Sequence, residues 1–583
     1  MRRGRRVRAE ARVVSRARVA SLALVVGLGA SGEAAAPRSR LGDLRDHVIY
    51  HLLTDRFANG DPSNDGASGV EPVPGDFSRI QGGDWRGIEE RLDYVEELGA
   101  TAIWISPIVR NVARMDVADG YHGYWAADFT ELEPRFGTFE ELRSLVEAAH
   151  ARGMLVIVDV VTNHAGRIFF YDLDGDGREE PGEAQPPYRA RGYDAPIVFT
   201  EAARLFAPLD PSRRGDALAE LSPGLLPLVP EHFHRRGFGD LTIAEQRRYG
   251  DFPDGLRDFD TERDDVLEAH VQTWVTWALR TEVDGYRLDA VPHTEIPYWQ
   301  AFCRRVRERL AAAGRDRFFL LGEIFEADPR NIVPYVSENA LDAGFDLPFK
   351  YAFVNRVLLD GGPPSAAREV IETARTYFRD TPQPLGIGLS PWEARVSLID
   401  NHDTGRLRSE IEDPFAIDQA LVAIFTIDAV PSIYYGTEQE LAGPGGHVGR
   451  EPLWLTGYGT DAPSFRLLQV LAALRRTSAA LRYGALSLRF ASEHGARGED
   501  GLPAMGEPDA GLVAWERAHE GEHVLVAMNA HPMQTSTASF TTTLPAGSYL
   551  DALEGEARLE VEESGAVVLA VPPRRSRVFV RAR

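Results

Sequence analysis

The sequence predicts a (β/α)8 barrel with an inserted domain after its third strand and an antiparallel β-sandwich at its C-terminal end. Three observations carry this. Short apolar runs alternate with amphipathic helical stretches from about residue 47 to residue 482. The alternation breaks once, over residues 163–261, which are rich in Gly, Pro, Asp and Arg. After residue 483 the apolar period changes to two.

The elements follow in order. Val48–Leu53 reads as the first strand. Gly87–Leu98 reads as a helix with Ile88, Leu92, Val95 and Leu98 on one face. Ala102–Ser106 is the second strand and Phe139–His150 the next helix. Leu155–Val161 is a continuous apolar strand, as expected where both faces are covered. A structureless loop of about a hundred residues is improbable inside one domain, so 163–261 is expected to fold as an insertion. Alternation resumes with a helix at 262–282. Strands at 284–291, 318–325, 342–347, 396–401 and 431–435 follow, then a helix at 463–482. Eight strands with interleaved helices predict a closed barrel over 37–162 and 262–482. Runs such as Leu512–Glu516 and Val524–Met528, separated by turn residues, predict the sandwich over 483–583.

Residues 1–36 differ in kind. Eight Arg precede the apolar run Val19–Ala30, and small residues follow through Ala34–Ala36. This order reads as a secretory signal peptide, so a secreted protein is expected. The apolar run is short for a spanning helix, and no later stretch reads as transmembrane. No Cys lies near the exit, so no lipid anchor is expected. Net charge is −24 for the whole chain, and loss of eight Arg and two Glu takes it to about −30. Such a surface repels nucleic acid and anionic membranes and suits a neutral substrate and bound cations. The single cysteine, Cys303, permits no intrachain disulfide; its helical context predicts a core position. A monomer is the expectation.

The chemistry is expected at the C-terminal mouth of the barrel. Several strands end there in polar groups: Asp159-Val-Val-Thr-Asn-His164, Gly285-Tyr-Arg-Leu-Asp-Ala-Val-Pro-His293, Gly322-Glu-Ile324 and Asn401-His-Asp403. Asp289, Glu323 and Asp403 would converge with Arg287, His164 and His402. Glycosidic cleavage needs one carboxylate to attack carbon and one acid to protonate the leaving oxygen. Carboxyl groups ~5 Å apart would make the reaction retaining. Arg287 lies two residues before Asp289, hence on the same face. It is expected to lower the pKa of Asp289 and keep it ionised. Burial and like charge are expected to keep Glu323 protonated.

At this point the chain resembles the α-amylase family, glycoside hydrolase family 13, over about residues 46–480. Further matching segments are Tyr121-His-Gly-Tyr-Trp125, Leu256-Arg-Asp-Phe-Asp260 and Gly436-Thr-Glu-Gln439. The resemblance implies Asp289 as nucleophile, Glu323 as general acid/base and Asp403 as transition-state stabiliser. It implies that His122, Tyr124, Trp125, His164, Arg287 and His402, together with Arg406, bind the sugar. It also implies an α-glucan substrate and structural calcium, at two or three sites. Asn163, Asp258 and the carbonyl of His293 match the family's shared calcium site. Asn59, Asp61, Asn64, Asp65, Gly82 and Asp84 resemble a second site found in cyclodextrin glycosyltransferases and related amylases. Spacing alone gives the third. Asp172-Leu-Asp-Gly-Asp-Gly177 followed by Glu183 fits a twelve-residue calcium loop, with Asp172, Asp174, Asp176, the carbonyl of Arg178, and Glu183 as ligands. Glu179 and Pro181 depart from that pattern.

Gly449–Tyr458 resembles the matching segment of α-amylases, whereas Thr54–Phe57 and Gly82–Trp85 are shared with cyclodextrin glycosyltransferases. Those transferases carry an aromatic residue where this chain has Asp254. The chain is also expected to lack the extra domains such enzymes carry, and hydrolysis of α-1,4-glucan is the expected activity. A transglycosylase and a cyclomaltodextrinase- or neopullulanase-like hydrolase are the alternatives. Pro292 replaces a lysine that many α-amylases carry. A non-catalytic sugar-binding protein on the same barrel is disfavoured, because all three carboxylates are present.

Overall fold

The computed structural model describes residues 40–190, 192–200, 229–411, 413–498, 501–555 and 557–582. The expected signal peptide lies outside the described residues. Residues from Arg38 onward form one compact unit.

Eight parallel strands build the barrel: β1 (Ile49–His51), β2 (Ala102–Ile105), β3 (Leu155–Val160), β4 (Gly285–Leu288), β5 (Phe319–Gly322), β6 (Ala343–Gly344), β7 (Val396–Ser397) and β8 (Val430–Tyr434). Their hydrogen-bonded order is β6-β5-β4-β3-β2-β1-β8-β7. A parallel bridge between Phe345 and Val396 joins the two ends. All but β8 are shorter than the apolar runs that predict them; beyond the ladder at β4 and β5, Asp289 and Glu323 line the cavity.

Strand periodicity sorts the side chains. Leu155 and Ile157 of β3 point inward to a core with Ile49, Trp104, Phe319, Leu321, Phe345 and Val430. Val156, Val158 and Val160 point outward against the helices. Asp159 therefore faces the barrel interior, although its strand is otherwise apolar. The helices Phe139–Ala151, Asp264–Thr281, Ile296–Ala312, Pro414–Thr426 and Pro463–Thr477 are among those that cover the outside. Thr138 starts the first of these with a capping box to Glu141. The helix expected over 87–98 is two, Trp85–Glu90 and Leu92–Leu98, broken at Arg91. Cys303 is fully buried, as expected.

Between β3 and β4 the described part of the insertion holds a two-stranded ribbon, Phe169–Tyr171 with Ile197–Phe199, and a short helix, Ala244–Tyr249. Arg257–Asp258 pairs with His164–Ala165 and ties the insertion to the mouth of β3. Beyond the barrel, eight strands run antiparallel: six in one sheet and Ser536–Thr541 with Ala566–Val571 in a second. Leu512, Ala514, Leu525, Ala527, Leu569 and Phe579 fill the space between them. Trp515 faces the other way and packs edge-on against Phe353 of the barrel. No described helix is long and apolar enough to cross a membrane.

Candidate active site

Register brings the carboxylates together. Arg287 lies level with Asp159 on one side and with Leu321 on the other. Two residues on, Asp289 and Glu323 leave β4 and β5 at the same height. Their backbone amides continue the ladder, Asp289 to the Val160 carbonyl and Glu323 to that of Leu288, both at 2.9 Å. Ala290 then takes a left-handed conformation, φ 50°. That costs about 1–2 kcal/mol for a residue with a Cβ. It turns the Ala290 amide toward Glu323 Oε2, 3.0 Å away.

One guanidinium organises the pocket. Arg287 Nη1 donates to Asp289 Oδ1 at 2.7 Å and to Asp159 Oδ1 at 2.8 Å. Its Nη2 pairs with Glu323 Oε1. All four side chains are buried. Asp159 also accepts from Tyr124 Oη at 2.7 Å and Trp104 Nε1 at 3.1 Å. Asp403 reaches the same cavity from beyond β7. His402 Nε2 lies 2.9 Å from its Oδ2 and Arg450 Nη2 3.3 Å from its Oδ1.

Electrostatics separate the three carboxyls. Burial would raise Asp403, but His402, Arg450 and Arg287 outweigh it and hold it below the usual carboxylate range. Burial pushes Glu323 up, aided by Asp403 and opposed by Arg287. Asp289 corrects the sequence expectation. Burial drives its carboxyl up, and the charges of Glu323 and Asp159 add to this against Arg287. Asp289 and Glu323 share one cation, so they titrate as a pair rather than as an ionised and a protonated group fixed in advance.

The cavity at the mouth has a volume of about 670 Å³. Asp289, Glu323, Asp403, His122, Tyr124, Trp125, His164 and His402 all line it. Tyr124 stacks on His402, centroids 5.0 Å apart and planes 10° from parallel. His122 accepts from the Tyr124 amide at 3.1 Å. His164 stacks on Phe252 and is pushed down to about 3, chiefly by burial, so it stays neutral. Trp125 does two jobs: it lines the cavity and packs with Met115 and Leu256. Arg406 is not brought to the cavity. It is buried behind, donating to the carbonyls of Gly449 and Tyr435 and lying over Tyr434.

Several groups at the site carry no role in the sequence reading. Asp159 and Arg450 were visible in quoted segments but unassigned. The signal for Asp159 is a lone charge in an apolar strand. A hairpin, Arg114–Met115 with Ala118–Asp119, overhangs the cleft. Its tip, Asp116, is held by both terminal nitrogens of Arg167, at 2.7 and 3.1 Å. Arg167 Nε donates to the carbonyl of Asp254, which also lines the cavity.

The three expected calcium clusters differ. In the loop 59–65, the buried oxygens Asn59 Oδ1 and Asn64 Oδ1 have no hydrogen-bond partner. Burial raises the Asp65 carboxyl to about 6. Gly82, φ 104°, leaves room beside Asn59 and Asp65 that a Cβ would fill, 2.7 Å from Asp65 Oδ1. These oxygens fit a hard cation. Asp84 is instead spent on the amides of Gly60, Asp61 and Gly87, and Asp61 on Ser63. In the loop 172–183, carboxylate oxygens of Asp172, Asp174 and Glu183 lie within 4.8 Å of one another, which also fits. Asp176 accepts from the Arg178 amide. In the Asn163, Asp258 and His293 cluster, two side-chain oxygens already have protein partners. Asn163 Oδ1 accepts from Thr294, Asp258 Oδ2 takes His234 Nδ1 at 2.5 Å, and the His293 ring meets the Arg247 carbonyl. The His234 side chain supplies beside Asp258 the donor that a metal would replace.

Comparison with known proteins agrees with the fold. The model of the alpha amylase catalytic domain matches residues 51–183 and 244–452. That of the alpha amylase C-terminal all-beta domain matches 507–582. An alpha-amylase of Streptomyces lividans is 30% identical over 571 residues, covering 88% of this chain. The chain spans 58% of that relative's length. The structure of the alpha-amylase of Geobacillus thermoleovorans complexed with acarbose is 25% identical, with a TM-score of 0.67, over 92% of this chain and 98% of that one. CldA, a cyclomaltodextrin glucanotransferase with a three-domain ABC distribution, is also 25% identical. It superimposes with a TM-score of 0.72 over 94% of this chain and 100% of its own. A transferase can therefore have this domain count, and the expected absence of extra domains no longer separates the two activities. With its barrel, its C-terminal β-domain and its three converging carboxylates, the chain belongs to the α-amylase family, glycoside hydrolase family 13.

Proposed function

We propose that the protein is a secreted enzyme that hydrolyses α-1,4-glucosidic bonds in starch-like glucans with retention of configuration. One observation carries the reading: a single buried guanidinium, Arg287, bridges Asp289 and Glu323 in a cavity that Asp403 also lines. In this reading Asp289 attacks the anomeric carbon and forms a glycosyl ester. Glu323 protonates the leaving oxygen, then deprotonates the water that cleaves the ester. In this reading, sugar in the cleft favours the state in which Asp289 is ionised and Glu323 holds its proton. Asp403, held ionised by His402 and Arg450, stabilises positive charge developing on the ring. The neutral His122 and His164 and the stacked Tyr124 receive sugar hydroxyls and apolar sugar faces.

Calcium in this reading is structural. Asn59, Asn64, Asp65 and the Gly82 carbonyl would hold one ion, and Asp172, Asp174 and Glu183 another. Each would clamp a loop with oxygen ligands.

Release of reducing sugar from soluble starch tests the reading, with Glu323→Gln as the inactive reference. Equal release by both proteins would defeat it. The three-domain transferase similar over almost the whole chain favours a second reading, transfer to a sugar acceptor. Chromatography of the products separates the two: linear oligosaccharides for hydrolysis, cyclic or lengthened glucans for transfer.

A further inference from the structure

The cleft wall formed by Gly443–Arg450 carries a histidine that no role above uses. The loop is glycine-rich, and Gly445 and Gly446 adopt φ of 102° and 56°, which brings His447 over the cavity. His447 Nδ1 lies 2.7 Å from Tyr121 Oη. Arg450 Nη1 donates to the same oxygen at 3.1 Å. The Arg56 guanidinium lies against the Tyr121 ring, 3.7 Å from its centroid. Arg450 continues the chain, donating to the His402 carbonyl at 2.9 Å and pairing with Asp403.

Proton counting along this chain fixes a tautomer. A guanidinium only donates, so Tyr121 Oη accepts from Arg450. Among the described residues the buried phenol has no other acceptor, so its proton goes to His447 Nδ1. A neutral imidazole that accepts at Nδ1 carries its proton at Nε2. Burial lowers the pKa of His447, and Arg450 and Arg56 lower it further, in agreement with a neutral ring. Among the described residues, His447 Nε2 has no protein partner, and the ring is half-buried.

We propose that His447 is a sugar-binding residue whose Nε2–H, locked by Tyr121, donates to a hydroxyl or ring oxygen of an α-glucan in the cleft. The proposal deepens the function proposed above and rests on it. Its Nδ1 bond ties the sugar contact to Arg450, and through Arg450 to Asp403. The role is one of binding and positioning, without contact to the reacting bond.

The test is steady-state kinetics on maltoheptaose with His447→Ala, His447→Gln and His447→Phe, with thermal midpoints recorded for each. Loss of one neutral hydrogen bond predicts KM raised about three- to tenfold in the Ala and Phe variants. In both, kcat should stay within about twofold. Gln places an amide N–H near the Nε2 position and should restore KM most of the way. If the Ala variant does not fold, the Gln and Phe pair gives the same comparison. Equal KM in Gln and Phe overturns the proposal. A fall in kcat at constant KM also overturns it, since His447 would then act only by holding Asp403. Failure of the unaltered protein to cut any α-glucan overturns both this proposal and the functional reading.

Discussion

Asp159 accepts from Arg287 at 2.8 Å, so the guanidinium that bridges Asp289 and Glu323 is itself anchored by a third carboxylate beneath them. The four groups form one buried network, and removing a member redistributes charge over the rest. Asp159 raises the pKa of Asp289. Asp159→Asn is therefore expected to shift the acid limb of the kcat/KM–pH profile to lower pH. It should also lower kcat by about tenfold or more, because Arg287 loses its fixed orientation. A pH–rate profile of the variant checks both.

Glu323→Gln should discriminate between leaving groups. Starch presents a poor leaving oxygen that needs a proton, whereas a nitrophenolate does not. Loss of a general acid is expected to cost about 10²–10⁴-fold on starch. Formation of the glycosyl ester from an aryl maltoside should fall much less. Stopped-flow release of the phenol, set beside reducing-sugar assays, measures the gap.

The fold was legible in its repeating parts. Eight apolar runs gave the barrel strands because strands covered on both faces must be apolar throughout. Asp289, Glu323 and Asp403 were legible because a charge at the end of such a run has no packing explanation. Asp159 was quoted as the polar residue closing its run but was given no role, since its partners Arg287 and Tyr124 come from distant segments. Arg406 misled for the opposite reason. The family resemblance implied a sugar contact there, but its side chain turns to backbone carbonyls behind the cavity. The state of Asp289 was misjudged because a neighbouring cation is visible in sequence, whereas the extent of burial is not.

His270, in the helix Asp264–Thr281, is one of the buried histidines that couple stability to acid. Its ring is buried, bonded to Tyr298 Oη at 2.8 Å, and burial lowers its pKa to about 3. The unfolded chain, with a histidine pKa of about 6.5, binds this proton first. Stability is therefore lost as pH falls from about 6.5 toward 3, by about 1.4 kcal/mol per unit at most. His270→Asn should flatten that slope in urea unfolding midpoints taken across this range.

Chelation should destabilise the protein. With EDTA the thermal midpoint is expected to fall by several degrees, since an ion bound only to the folded state adds about 2.7 kcal/mol at a hundredfold excess over Kd. Asn64→Ala, which deletes one of the unpaired oxygens, should shrink the difference. Calorimetry with and without calcium reads this out. An unchanged midpoint in EDTA would remove calcium from the account.

The Asp116–Arg167 pair fastens the hairpin tip to the insertion across the cleft. Asp116→Ala should free the tip and move the preferred cut along maltoheptaose, while maltotriose turnover changes less than about twofold. End-labelled product analysis gives the cleavage frequencies.

The barrel is not equally stiff around its circumference. β4 and β5 are joined over four residues, whereas β6 and β7 meet through the single bridge of Phe345 and Val396. Asp289 and Glu323 thus stand on the rigid arc, and Asp403 extends from the compliant one. In the functional reading proposed above, Asp403 can follow a bound sugar at less backbone cost than Asp289 or Glu323.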